Sequence, residues 1–167
     1  MASKLYWIDG GWPGKLAIAA RPRGGDWLED ELVEWSRAGV STLVSLLTRD
    51  EEQSLGLHNE AALAKSQGMG FVSFPIADRQ VPSSPSLLAE MLEKIGTHLS
   101  SGKDVLIHCR QGVGRSGLVA ACLLITKGWN PSAAVEQVSA ARGVAIPETA
   151  EQGRWIEHYA ASLAGTK

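Results

Sequence analysis

Blocks of consecutive apolar residues alternate along the chain with segments in which apolar residues recur every three or four positions. Short continuous apolar runs are typical of strands buried on both faces, and the recurrent spacing is typical of amphipathic helices. Strands are predicted at 5–8, 16–19, 40–47, 70–76 and 105–107. Because 5–8 and 16–19 are joined by a Gly- and Pro-rich link, they are expected to form a hairpin at a sheet edge.

Helices are predicted between these strands and after the last of them. Asp26 is the expected N-cap of the first helix, which runs to about Ala38 and carries acidic residues in its opening turns. Its apolar residues recur with helical spacing, which predicts core packing for Trp27, Leu28, Leu32 and Trp35. Other helices are predicted after Thr48, at 58–67, from 85 to about 101, from 118 onwards, at 132–141 and up to about 163.

Alternating helices and strands predict an α/β domain built on a central, mostly parallel sheet of about five strands flanked by helices. The last helices are followed by no strand and are expected to pack on one face of the sheet. With 167 residues, 44% of them hydrophobic, the chain is predicted to form one domain, 1–167, with a substantial core. Parallel sheets carry ligand-binding loops at the carboxyl ends of their strands, so the loops after Ile76 and Ile107 should open on the same edge.

Composition argues against several classes of protein. A formal net charge of −2, without a basic cluster, gives no reason to expect a nucleic-acid or membrane partner. Apolar runs are too short for a membrane-spanning helix, and the first residues lack the apolar core of a signal peptide. The two cysteines favour a reducing compartment, here the cytoplasm, and Cys122 is expected to fill the core. Because no histidine is clustered with cysteines or carboxylates, we expect no metal and no other cofactor.

The apolar run 105–107 leads into the most informative stretch of the chain. After it come His108 and Cys109, then a segment that contains Gly112, Gly114, Arg115 and Ser116, and then an apolar segment from Leu118 that predicts a buried helix. A strand, a glycine-rich loop and a helix N-terminus form an anion site, because backbone N–H groups converge there and the helix dipole adds positive charge. Residues 109–115 are called the cysteine loop below.

The cysteine loop combines a nucleophile with an anion-binding group. The Lys-Ser/Thr pair of a nucleotide-binding P-loop is absent. Cys109 opens the loop instead, where the amides that hold an anion should also stabilise a thiolate. Arg115 closes the loop, and its planar fork suits two oxygens of one phosphoryl group. A buried cysteine alone is usually an inert core residue, but with Arg115, Ser116, Gly112 and Gly114 beside it the pattern favours phosphate chemistry.

The string His108-Cys109-x5-Arg115-Ser116 resembles the loop of the cysteine-dependent protein tyrosine phosphatases, and the short chain resembles their dual-specificity branch. The resemblance implies that Cys109 attacks phosphorus to form a phosphocysteine, that Arg115 holds the phosphoryl oxygens and that Ser116 helps the thiolate to leave. It also implies that His108 orients the loop and is not a base. The other loop residues would contact the substrate: Arg110, Gln111, Gly112, Val113 and Gly114.

Cleavage of a phosphate ester also calls for an acid that protonates the leaving oxygen. Asp78 is the expected acid, in a Pro-containing loop of residues 77–85 that follows a strand. This acid loop resembles the general-acid loop of the family in position and form. The alternative is a turn aspartate that binds only local amides.

Other charged residues also follow the predicted strands. Asp50, Glu51 and Glu52 follow a strand, but their spacing indicates helix capping. Arg79 and Arg110 are candidates for contacting an acidic substrate or a second phosphate, with solvated surface arginines as the alternative.

The segment from Ile146 to Gln152 resembles the family segment that orients the water attacking the phosphocysteine. Thr149 and Gln152 fit that pattern, whereas Glu148 stands where glutamine is common. Glu148 and Gln152 are therefore candidate water-positioning residues. Alternatively, Glu148 and Glu151 are acidic first-turn residues behind a proline.

The predicted function is hydrolysis of phosphate monoesters on a phosphorylated protein by a monomer. The short chain implies a shallow cleft, which would admit phosphoserine and phosphothreonine as well as phosphotyrosine. Three alternatives stay open: a lipid or nucleotide phosphatase of the same mechanism, a sulfur- or arsenate-transfer enzyme, and a phosphate-binding module without catalysis.

Overall fold

A five-stranded sheet in the order β1-β2-β5-β3-β4 forms the centre of the computed structural model, which describes residues 3–165. Residues 1, 2, 166 and 167 of the predicted 1–167 domain lie outside the described residues. β1 runs antiparallel to β2, and all other neighbouring strands are parallel. This confirms the α/β prediction and the edge hairpin. The strands are β1 (Tyr6–Ile8), β2 (Leu16–Ala20), β3 (Val40–Ser45), β4 (Gly70–Ser73) and β5 (Asp104–Cys109).

Seven α-helices within residues 3–165 cover the two faces of this sheet. No helix in that range is long and apolar enough to cross a membrane. The helices are α1 (Leu28–Arg37), α2 (Arg49–Ser54), α3 (Glu60–Ser66), α4 (Pro85–Ser100), α5 (Gly114–Lys127), α6 (Pro131–Arg142) and α7 (Ala150–Ala164).

Side chains of β5 alternate between two cores, one on each face of the sheet. Val105, Ile107 and Cys109 join the larger core, beside α4 to α7, whereas Leu106 joins the smaller core beneath α1 and α3. α5 is buried from Gly114 to Ile125. α6 and α7 both pack against α5, which confirms that the late helices share one face.

The start of the first helix differs from the prediction. Residues 25–27 form a 3-10 turn and α1 begins at Leu28, so Asp26 lies inside that turn and is not the N-cap of α1. A 3-10 turn has three residues per turn, which shifts Trp27 out of the phase of the apolar stripe. Trp27 is therefore 57% exposed, and the Arg23 guanidinium carbon lies 4.7 Å from the centroid of the Trp27 ring. The other stripe residues are buried as expected: Leu28, Leu32 and Trp35.

Two strands end earlier than predicted. β3 ends at Ser45 and β4 at Ser73. Pro75 has no N–H to donate, which breaks the regular ladder, although Phe74 and Ile76 still donate backbone hydrogen bonds to the carbonyls of Ser45 and Leu46. The chain beyond β4 is thereby held against β3 up to the start of the acid loop.

Two leucines on α4 test which side chains stabilise this fold. Leu92 is fully buried, whereas Leu87 is 55% exposed. We expect Leu92→Ala to lower the free energy of unfolding by about 2–5 kcal/mol, because it leaves a cavity under the sheet. Leu87→Ala, the same substitution on the same helix, should change it by less than about 0.5 kcal/mol. Urea unfolding midpoints check this, and equal losses in both variants would contradict the assigned helix face.

Candidate active site

Cys109 ends β5 and its side chain lies at the floor of the cysteine loop, 2% exposed. Its Sγ is 3.2 Å from the Ser116 hydroxyl, and the Gly112 N–H donates to the same Sγ at 3.3 Å. The structure therefore brings three predicted site residues into direct contact. A hydroxyl and an amide on one sulfur are groups that stabilise a thiolate.

Gly112 lets the loop turn tightly against the neighbouring strand. Its φ is +72°, and a Cβ at this position would lie 2.5 Å from the carbonyl carbon of Ala19 on β2. Only glycine meets both conditions. After this turn the chain enters α5 at Gly114, so Arg115 and Ser116 occupy the first turn of a long buried helix, where its dipole favours an anion.

The Arg115 side chain is only 2% exposed, and its charge is compensated by hydrogen bonds to neighbouring groups. Its Nη1 and Nη2 donate to the two carboxylate oxygens of Glu51 at 2.6 and 2.9 Å, and Nη1 also donates to the Ile76 carbonyl at 2.8 Å. Burial alone would lower the pKa of Arg115, but the hydrogen bond with Glu51 and the charges of Cys109, Glu51 and Asp78 raise it. The guanidinium is thus a permanent cation at the loop.

Glu51 makes two sets of contacts, and the sequence pattern predicts only the first. It forms a capping box with Thr48 at the start of α2, as the predicted capping role requires. It also forms the bidentate ion pair with Arg115. Burial alone would raise the pKa of Glu51, but hydrogen bonds from Arg115 and Thr48 and the charge of Arg115 hold it below its ordinary value of 4.5.

Asp78 lies beside the same guanidinium. Its Oδ1 accepts from Arg115 Nη2 at 3.1 Å, and its side chain is 53% exposed. The loops after β4 and β5 therefore do open on one edge of the sheet, as expected. Asp78 comes five residues after the end of β4 and not directly after it, because β4 ends early. Its position between solvent and Arg115 suits a group that exchanges protons with a leaving oxygen.

The predicted water-positioning residues tie the acid loop to the start of α7. Glu148 accepts from Arg79 Nη1 at 2.7 Å. Gln152 donates to the Gln80 carbonyl at 3.1 Å and accepts from the N–H groups of Glu148 and Thr149. Arg79 is thus paired with Glu148, while its side chain is 58% exposed, so its contact with substrate stays a prediction. Water positioning by Glu148 and Gln152 stays a prediction.

His108 lies on the opposite face of β5 from Cys109, in the smaller core. Its Nε2 is 2.5 Å from Glu60 Oε2, and both residues are almost fully buried. Trp35 lies beside the His108 ring, with 6.1 Å between centroids. This position suits the predicted role in orienting the loop. Glu60 has no signal in the sequence, because nothing in a lone glutamate on a short helix indicates a histidine partner 48 positions later.

The outer residues of the loop form its rim. Arg110 and Gln111 are exposed, and the Arg110 carbonyl accepts from the Arg21 N–H at 3.3 Å. Val113 is half-buried directly before α5. Cys122 is fully buried on α5, which confirms core filling, and burial raises the pKa of its thiol.

A thiol, an amide, a guanidinium and a carboxylate thus meet at the carboxyl edge of the sheet. With this fold they define the class of cysteine-dependent protein tyrosine phosphatases of the dual-specificity type, as the resemblance of the loop predicted. The family model described as PTP-SAK, "Swiss Army Knife protein, DSP-PTPase phosphatase domain", matches residues 3–155. The chain belongs to this family of phosphatase domains.

Curated relatives and solved structures agree with this assignment. Cyclin-dependent kinase inhibitor 3 is 30% identical over 139 residues in Homo sapiens and 29% identical over 139 residues in Rattus norvegicus. Each alignment covers 82% of this chain, and the chain spans 65% of the length of these relatives.

Two solved structures share the fold over nearly the whole chain. A kinase associated phosphatase (KAP) with serine in place of its catalytic-site cysteine superimposes with a TM-score of 0.87 at 24% identity, covering 98% of this chain and 97% of that chain. Tk-PTP in its active form superimposes with a TM-score of 0.77 at 29% identity, covering 94% of this chain and 96% of that chain.

The Glu51–Arg115 pair predicts a pH-dependent stability. At neutral pH, Glu51→Gln should lower the free energy of unfolding by about 1.5–3 kcal/mol, because a charged hydrogen bond to a buried guanidinium is lost. A carboxyl group whose pKa is lower in the folded than in the unfolded protein stabilises the fold at pH values above its unfolded-state pKa. This contribution disappears as the pH falls through its folded-state pKa. The difference between wild type and Glu51→Gln should therefore shrink below pH 4.5. Urea unfolding across this pH range measures it.

Glu52→Gln is the matched control on the same helix. Burial and the charge of Glu60 raise the pKa of Glu52, so the ionised form of this residue weakens the fold. At neutral pH, Glu52→Gln should therefore leave the free energy of unfolding unchanged or raise it, whereas Glu51→Gln lowers it. Equal losses at both positions would refute the structural role given to Glu51.

Proposed function

We propose that the protein hydrolyses phosphate monoesters through a phosphocysteine formed on Cys109. The observation that supports this best is the position of Arg115, which lies in the loop of the thiol and contacts Asp78 at 3.1 Å. One guanidinium thereby connects the proposed nucleophile with the proposed acid.

In the first step, the Cys109 thiolate attacks phosphorus in line with the leaving oxygen. The S–P bond forms, the P–O bond to the leaving group breaks, and Asp78 gives its proton to that oxygen. Glu51, the Ile76 carbonyl and Asp78 accept four hydrogen bonds from Nη1 and Nη2 of Arg115, and Nε has no hydrogen-bond partner among residues 3–165. Nε and Nη2 can then hold two phosphoryl oxygens when Asp78 turns towards the leaving oxygen.

In the second step, water cleaves the phosphocysteine. Asp78, now ionised, takes a proton from the water, the O–P bond forms and the S–P bond breaks. The Ser116 hydroxyl, 3.2 Å from Sγ, stabilises the departing thiolate. Glu148 and Gln152 are the proposed water-positioning residues, since both adjoin the acid loop.

Phosphorylated proteins are the proposed substrates, with phosphotyrosine, phosphoserine and phosphothreonine all accepted. Support comes from the related kinase associated phosphatase and from a rim formed by exposed Arg110 and Gln111. The loop has Gln111 and Val113 where a polyphosphorylated lipid headgroup would favour lysines. Sulfur transfer or arsenate reduction is less well supported, because reductases of this type resolve the adduct with a second cysteine and Cys122 is fully buried.

We also infer that the protein acts as a monomer in the cytoplasm. A thiolate nucleophile requires a reducing compartment, and both cysteines are free in the structure.

Cys109→Ser tests the proposed nucleophile. We expect loss of aryl phosphate hydrolysis by roughly 10⁴-fold or more, measured with a chelator present, because a serine hydroxyl does not ionise at neutral pH. Inorganic phosphate should still bind, since the amides and Arg115 are retained. Cys122→Ala is the matched control and should keep its turnover. Full activity of Cys109→Ser would refute the mechanism.

Asp78→Asn tests the proposed acid through the leaving group. For phenyl phosphate, a poor leaving group, we expect kcat to fall about 10²–10⁴-fold. With dinitrophenyl phosphate, kcat should fall far less, because its leaving oxygen needs no proton. Asp50→Asn, an exposed aspartate that also follows a strand, is the control and should behave as wild type. An equal loss with both substrates would show that Asp78 is not the acid.

A further inference from the structure

Arg142, the last residue of α6, reaches the outer side of the cysteine loop. Its Nε donates to the Gly112 carbonyl at 2.9 Å, and its Nη2 donates to the Gln111 carbonyl at 3.3 Å. The guanidinium lies over the Tyr6 ring of β1, 4.1 Å from the centroid. An arginine far along the chain therefore binds two consecutive peptide groups of the loop that carries Cys109.

The Gln111 carbonyl and the Gly112 N–H are the two ends of one peptide group. In a trans peptide these two groups point in opposite directions. On the inner side the Gly112 N–H donates to Cys109 Sγ at 3.3 Å, and on the outer side Arg142 binds the carbonyl. A cation at the carbonyl end polarises the peptide and strengthens the hydrogen bond at its N–H end.

The next peptide group has the same arrangement. Arg142 Nε binds the Gly112 carbonyl, so the Val113 N–H at the other end of that peptide is directed away from Arg142 and towards the inner side of the loop. Converging N–H groups on this side are what bind an oxyanion. Arg142 therefore fixes the direction of two neighbouring amides at once.

We propose that Arg142 is a positioning residue that stabilises the Cys109 thiolate from outside the loop, by holding and polarising these two peptide groups. The proposal rests on the function proposed above only in taking Cys109 as the nucleophile.

The charge of Arg142 is not neutralised by a carboxylate, since none of the ion pairs within residues 3–165 includes it. The other charged groups at the loop are the exposed Arg110 on its rim, Arg115 with Glu51 and Asp78, Glu148 with Arg79, and His108 with Glu60 behind it. None of these groups hydrogen-bonds Arg142. A substitution at position 142 therefore changes the cation outside the loop and leaves their pairing in place.

The test is the rate of Cys109 alkylation by iodoacetamide across the acid-to-neutral pH range, without substrate. Only a thiolate reacts, and burial raises the pKa of the Cys122 thiol, so Cys122 stays protonated across this range. For Arg142→Gln we expect the half-maximal rate to move to higher pH and the rate at acid pH to fall about tenfold. Arg142→Lys, which keeps the charge but loses the planar fork, should lie between this variant and the wild type.

Controls separate this effect from a loss of folding. Arg37→Gln removes an exposed arginine on α1 and should leave the profile unchanged. An unfolded fraction exposes both cysteines as ordinary thiols and by itself moves the alkylation profile to higher pH. The folded fraction of each variant is therefore measured by circular dichroism at every pH, and the profiles are compared only where both proteins are folded. Tyr6→Leu removes only the ring beneath the guanidinium and should shift the midpoint in the same direction by less, so it replaces Arg142→Gln if that variant does not fold.

A wild-type pH profile in folded Arg142→Gln, or in Tyr6→Leu where it takes its place, would overturn the proposal. Phosphatase turnover, measured separately, distinguishes this outcome from failure of the proposed function: a shifted alkylation profile in a protein without phosphatase activity would refute the reaction and keep the role of Arg142.

Discussion

The site depends on a buried guanidinium whose charge must be compensated. Arg115 is taken out of water at the start of α5, and such a charge is costly unless hydrogen-bonded anions surround it. Glu51 provides two contacts at 2.6 and 2.9 Å, and the Ile76 carbonyl and Asp78 provide two more. These partners follow β3 and β4, while Arg115 follows β5. Compensation of one cation thereby holds the ends of three neighbouring strands in a fixed arrangement.

Sheet topology makes this compensation possible. Because β3, β4 and β5 are parallel and adjacent, the segments after them emerge on the same edge. The capping box at Thr48 turns the chain into α2 directly after β3 and places Glu51 at that edge. On the other side of β5, the glycine at 112 brings the loop within contact of β2. The cysteine loop is thus in contact with β2 on one side and, through Arg115 and Glu51, with the segment after β3 on the other.

Much of this arrangement follows from local sequence, and the rest does not. The five strands, the edge hairpin, the cysteine loop and the loop that carries Asp78 follow from short-range patterns, because strand, loop and helix are consecutive in the chain. The strand order β1-β2-β5-β3-β4 does not, because it depends on contacts between distant segments. Glu51 was interpreted as a helix cap, which is correct but incomplete, since its second partner lies 64 positions away. Arg142 gave no signal, because a guanidinium that binds backbone carbonyls needs no particular residue opposite it. The helical spacing predicts Trp27 in the core, which is wrong because residues 25–27 form a 3-10 turn of different pitch.

Two arginines contact the cysteine loop, one on its inner side and one on its outer side. Arg115 lies inside, where its charge faces the sulfur and is shared with two carboxylates. Arg142 lies outside, where its charge reaches the sulfur only through peptide groups. In the mechanism proposed above, the inner cation binds the substrate oxygens and exchanges Asp78 for them, whereas the outer cation keeps its partners throughout. Fixed amides need such a constant partner, because an N–H group that turns away from the anion contributes nothing to its stabilisation.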